Sequence, residues 1–292
     1  MVPTLVIGLR EGLEAALIVG IVAAILGRSG RRDALVQVWI GVIAAVVLCL
    51  AIGTGLVVLS RELPERAQEG LETVVGLLAV LLVTFMIFWM NRHARGMKKE
   101  LEGAASDALA RGSTRALVVM AFLAVLREGF ETAVFLVSLL QNSSSATAGS
   151  IGAVLGILAA AGIGYGIYRG GVHLNLARFF TATGMVLVLV AAGLLATAAH
   201  TAHEAGWLNL GQAAAFNLSW LVHPGGVVEA LLTGVLGLRA RPAVVEVIVY
   251  LAYAIPMLVF IGRPRRRRPA PASQTSRPDH AGPRVEQPAT GA

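Results

Sequence analysis

Apolar residues run along this chain in blocks too long and too unbroken for a soluble fold. A helix needs about 20 apolar residues to cross about 30 Å of hydrocarbon. On that measure the pattern predicts seven spans, at 4–27, 35–59, 70–90, 115–140, 149–168, 176–200 and 243–262. Polar residues collect in the short connections, with two conspicuous exceptions. LREGLEAAL, residues 9–17, and LREGFETAV, residues 126–134, each carry one arginine and two glutamates inside a predicted span. A charge at bilayer depth costs at least about 2.5–3.5 kcal/mol on insertion scales, so six of them require something to hold.

Composition agrees with the pattern. Hydrophobic residues make up 56% of the 292 and charged residues 14%, against about 25% charged in a typical soluble domain. Seven spans leave no room for a large soluble domain. The net charge of +7 does not imply nucleic acid, because the basic residues sit beside the spans. With the N-terminus outside, 18 Lys and Arg fall on the inner side, including Arg28, Arg31, Arg32, Lys98, Lys99 and the tail, and four on the outer side, Arg61, Arg66, Arg239 and Arg241. The positive-inside rule therefore predicts an N-out, C-in protein of the cytoplasmic membrane. The first apolar run carries REGLE where a cleavable leader has an uncharged core, so it reads as a span. Cys49, the one cysteine, lies mid-span and excludes an internal disulfide.

The two charged segments are copies of one another. Six of nine positions are identical at an offset of 117 residues, an interval holding three spans. An odd number of spans reverses the second copy in the membrane, which predicts an inverted repeat with a site where the halves meet. The expected organisation is a first three-helix repeat over 1–112 and an inverted second over 113–205. An outer interfacial or re-entrant segment with a seventh helix follows over 206–262, and then a disordered basic tail over 263–292. The fold class is thus an all-α integral membrane protein of 3+3 helices plus one.

Spacing gives each copy its chemistry. Glu11 and Glu14 are three residues apart and share a helix face, and Arg10 reaches Glu14 at four. Glu128, Glu131 and Arg127 repeat the arrangement. Gly12 and Gly129 lie between the acids and let another backbone or an ion approach. Two such helices face to face gather four carboxylates and two guanidiniums, a net charge of −2. Carboxylate oxygens without cysteine suit a hard, oxygen-loving cation. A pure ion-pair lock between the halves would need one acid per arginine, not two.

With these motifs in place the chain resembles the high-affinity iron permeases, the fungal oxidase-dependent and bacterial EfeU-type iron transporters, over residues 1–262. The doubled REGLE-type motif carries the resemblance, with TVVGLLAVLLVTFMIFWMNRHARGMKKEL, residues 73–101, similar to the family's third span and basic loop. It implies a transporter rather than an enzyme, with iron as substrate and no permanently bound cofactor. The iron would be Fe(III), delivered by an extracytoplasmic iron-oxidising or iron-binding partner. The family's motif glutamates fall on Glu11, Glu14, Glu128 and Glu131 and its charge-balancing arginines on Arg10 and Arg127. The loop QNSSSATA, 141–148, has no acid, so no acidic relay is expected there.

Further polar residues mark an entrance on the outer side. EGLE recurs at 69–72, placing Glu69 and Glu72 on one face where the third span begins, with Glu62 and Glu65 nearby. AHTAHEAG, 199–206, groups His200, His203 and Glu204 at the end of the sixth span. Gly152 and Gly156 form a GxxxG, most simply a packing face. Two other readings remain. A permease for Mn(II) or another divalent cation is allowed by all-oxygen ligands. A haem-bearing membrane oxidoreductase would need histidines facing each other inside the bilayer, and the six histidines lie at span ends, in loops or in the tail.

Overall fold

In a computed structural model of the chain every predicted apolar block is a helix. The structure describes residues 1–93, 114–141, 146–169, 175–208, 213–217 and 241–262, with Gly96, Gly103, Asp107 and Gly211 singly. Among these are seven α-helices: α1 (Val2–Arg28), α2 (Arg32–Glu62), α3 (Glu65–His93), α4 (Thr114–Gln141), α5 (Ala146–Tyr168), α6 (Leu176–Glu204) and α7 (Val244–Gly262). Most of their ends extend one to five residues beyond the predicted spans, three coincide with them, and α7 begins one residue later. The tail, the run Val227–Leu238 and most of the 91–113 connection lie outside the described residues.

Local chemistry sets the breaks. Pro3 occupies the first turn of α1, where its missing N–H costs nothing. Gly30 turns the chain towards α2 at φ +68°, a conformation that glycine adopts freely. The Pro64 carbonyl accepts from the N–H groups of Ala67 and Gln68 as α3 begins. The Asn175 side chain accepts from the Arg178 N–H and caps α6.

Five of the helices, α2, α3, α5, α6 and α7, are long and apolar enough to cross a membrane. The other two, α1 and α4, carry the charged motifs. Large apolar side chains face outward along the bundle, among them Trp39, Ile43 and Val47 of α2 and Leu81 and Phe85 of α3. An apolar surface this extensive fits lipid and not water.

Helix pairing follows a simple exchange. α1 packs along α5, α2 along α4, and α3 along α6, while α7 covers α6. Small residues make the first of these contacts close. A Cβ on Gly8 would stand 2.6 Å from the Ala153 carbonyl oxygen, and one on Gly152 would run into Thr4 and the Met1 carbonyl. Gly152 and Gly156 are therefore packing residues, as their spacing suggests. The main core joins α1, α3, α4 and α6 through Leu13, Leu17, Val83, Met86, Phe135 and Leu187. A second cluster, Val22, Leu26, Val38, Leu117 and Ala121, closes α1, α2 and α4 on each other towards the α1–α2 turn.

Candidate metal centre

The two charged motifs meet where α1 crosses α4. Carboxylate oxygens of Glu11, Glu128 and Glu131 all lie within 4.8 Å of one another, and all three residues are buried. Glu14 stands beside them, with Arg10, Glu131 and Arg127 as its electrostatic neighbours. Arg10 Nε is 3.5 Å from Glu14 Oε1, and Arg10 Nη1 is 3.8 Å from Glu11 Oε1. Arg127 Nε donates to Glu131 Oε1 at 3.1 Å and lies 3.8 Å from Glu128 Oε1. All six motif charges therefore collect in one place.

What fails to pair is as informative. Both Glu11 oxygens, Glu14 Oε1, Glu128 Oε2, Glu131 Oε2 and two nitrogens of Arg10 are buried without a hydrogen-bond partner. A buried polar group left in that condition costs about 1–3 kcal/mol, more when charged. Carboxylates this close repel unless a proton or a cation sits between them. The donor set is all oxygen, with no thiolate or imidazole, and fits a hard metal cation.

The motif glycines let the helices come this close. A Cβ on Gly12 would stand 2.9 Å from the Ala160 Cβ of α5, and one on Gly129 would stand 2.6 Å from Cys49 Sγ of α2. It is thus a neighbouring helix, not an ion, that fills the space each glycine opens. Each arginine also meets an aromatic ring: Arg10 lies 5.9 Å from the Phe180 centroid and Arg127 5.5 Å from that of Trp89. His93 in turn stacks on Trp89, with the ring centroids 5.0 Å apart.

A second polar group forms where α3 begins, α6 ends and α7 begins. His200 Nδ1 lies 2.8 Å from Glu246 Oε1, and its Nε2 lies 3.1 Å from Glu204 Oε1. Glu69 has Glu204, Glu72 and His200 as electrostatic neighbours. Glu72 accepts from Gln68 Nε2 at 3.2 Å. His203 separates from this group, its Nδ1 facing the Leu208 carbonyl at 2.8 Å. Glu62 and Glu65 are exposed at the same end.

Comparison with known proteins gives the geometry its family. The model of the iron permease FTR1 family matches residues 1–264. The ferrous iron permease EfeU of Yersinia pestis is 43% identical over 259 residues, 88% of this chain and 92% of that protein. Those of Shigella sonnei and Escherichia coli O157:H7 are 41% identical over 267 residues, 91% of this chain and 96% of theirs. The chain belongs to the iron permease FTR1 family. It is a transporter and not an enzyme, and a multi-pass protein of the cytoplasmic membrane. No solved structure matches it.

Three residues around the permease's polar groups escape the sequence pattern. Glu246 is 4% exposed and joins His200 from α7. Its signal was present, a lone acid in the apolar run VVEVIVY, the same anomaly that marks the motifs. Trp89 and Phe180 gave no such signal, because an aromatic residue in a membrane helix is ordinary and only tertiary contact brings a guanidinium to it.

Proposed function

We propose that this permease carries iron inward through the Glu11, Glu14, Glu128 and Glu131 centre, with Arg10 and Arg127 balancing its charge. One observation carries the reading: carboxylates from two separate helices converge to within 4.8 Å, buried and short of hydrogen-bond partners. A lock made only for stability would pair each acid with a base, and buried ion pairs are poor stabilisers beside apolar packing.

In this proposal all seven helices span the membrane, N-terminus outside. The halves 1–112 and 113–205 form an inverted repeat, and 206–262 completes the outer face and adds the last helix. The helix exchange supports it, since the first helix of each half packs on the second of the other and the third helices pack together. α1 and α4 fall within the length range of the other helices and are set apart by the motif charges they carry.

Iron arrives as Fe(III) from an oxidising partner on the outer side, and the all-oxygen donor set suits so hard a cation. Cation binding displaces protons from carboxyl groups, which couples uptake to proton movement. Fe(II) is a second reading, favoured by the name ferrous iron permease that the relatives bear. Uptake of radioactive iron into proteoliposomes, with Fe(III), Fe(II) and Mn(II) compared and internal pH recorded, separates these readings. Glu14→Ala and Glu131→Ala each abolish uptake while the protein remains in the membrane. Normal uptake by both variants removes the site assignment.

A further inference from the structure

Hydroxyl groups fill positions between the outer polar cluster and the carboxylate centre where apolar side chains would suffice for packing. Thr73 of α3 and Thr201 of α6, each 3% exposed, lie with their hydroxyl oxygens 2.7 Å apart, and Thr73 also donates to the Glu69 carbonyl at 2.8 Å. One turn below Thr73 is Gly76, bare of side chain. A Cβ there would stand 3.7 Å from Ser138 Oγ of α4 and 3.5 Å from the Ala198 Cβ of α6. Ser138 is itself 1% exposed.

The register of α4 continues the line. Glu131 and Ser138, seven residues apart, share one helix face, and Glu128 and Gln141 stand three residues beyond them at either end. Seven residues separate Ser138 from Glu131, about 10 Å along a helix. The first copy has no such line: the residues of α1 that correspond to Ser138 and Gln141 at the repeat offset are Ile21 and Ala24. The polar file therefore leads from the centre towards one end of the bundle only, the end that holds Glu69, His200, Glu204 and Glu246.

We propose that this file is the outer half of the cation path. A hydrated metal cation is captured at the Glu69–His200–Glu204–Glu246 cluster. It then descends past the Thr73–Thr201 pair, passes Ser138 beside the bare backbone of Gly76, and reaches Glu131. Neutral hydroxyl and carbonyl oxygens suit the middle of such a path, because they replace lost hydration without holding the ion as tightly as a carboxylate does. Carboxylates at the two ends supply capture and dwell. The path rests on the transport reading above.

Thiol accessibility tests it. In a Cys49→Ala background, which removes the only native thiol, Ser138→Cys is exposed in intact cells to a small positively charged methanethiosulfonate. Glu65→Cys, at the exposed outer end, and Leu81→Cys, 64% exposed on the apolar outer surface, serve as reactive and unreactive controls. The expected result is that the Ser138→Cys variant reacts, the Leu81→Cys variant does not, and modification at position 138 stops iron uptake. Gly76→Leu, which sets a bulky side chain between Ser138 and Ala198, abolishes uptake while the purified protein still binds iron. An unreactive thiol in Ser138→Cys, modification there without effect on uptake, or full uptake by Gly76→Leu overturns the path. Failure of the transport reading looks different: Glu131→Gln then takes up iron normally, whatever the Ser138→Cys variant does.

Discussion

The two copies of the charged motif share six of nine residues and differ in almost everything around them. Arg10 in α1 is 1% exposed, with carboxylates at 3.5 and 3.8 Å and two nitrogens lacking hydrogen bonds. The Arg127 side chain in α4 is 43% exposed, donates to Glu131 at 3.1 Å and lies against Trp89. Burial makes the first guanidinium a fixed charge, because moving it would strand Glu11 and Glu14 in a medium that screens poorly. The second has space on one side and a bond on the other. The same residue type is thus enclosed in one copy and partly open in the other.

The largest test of that difference is to neutralise each arginine in turn. Arg10→Gln leaves buried acids without compensation and should destabilise the fold by about 3–5 kcal/mol. Arg127→Gln should cost less, since its own side chain is 43% exposed where that of Arg10 is 1% exposed, yet still impair uptake. Thermal unfolding of the purified variants in detergent measures both. Equal losses would erase the distinction between the copies.

Glycine substitutions probe the packing that brings the copies together. Gly12→Val and Gly129→Val each drive a side chain into a neighbouring helix and should cost about 1–3 kcal/mol by overpacking. Gly20→Ala, with nothing within 4 Å of its added methyl, should instead be neutral or stabilising by up to about 1 kcal/mol. The same unfolding measurement reads all three. A harmless Gly129→Val would mean that the α2–α4 contact is looser than the structure has it.

The smallest expected effect concerns the aromatic partners. Trp89→Leu removes a cation–π contact of about 0.5–2 kcal/mol from the arginine that has fewer other restraints. It should therefore lower iron uptake more than Phe180→Leu does, with Trp89→Phe restoring part of the loss. Identical uptake by Trp89→Leu and Phe180→Leu would show that Arg127 is held by Glu128 and Glu131 without help from the ring.

Much of this protein is legible without coordinates. Among the described residues the helices and their approximate limits follow from the apolar blocks, because a chain in lipid must satisfy its backbone hydrogen bonds within each segment. Tertiary context can shift the ends of such helices by a few residues but cannot change what they are. The six motif charges are legible for a related reason. Charge in an apolar run is costly enough that it survives only with a purpose, and its repetition at 117 residues points to a second half.

Tertiary structure decided the rest. Helical spacing puts Glu11 and Glu14 on one face, yet only the crossing of α1 and α4 determines that Glu11, Glu128 and Glu131 form the tightest group and that Glu14 stands beside it. Likewise His200 and His203, three residues apart in sequence, part company because one faces Glu246 of α7 and the other the Leu208 carbonyl. Nothing local distinguishes Arg10 from Arg127. Their difference is one of burial, a property of packed helices that no single helix carries.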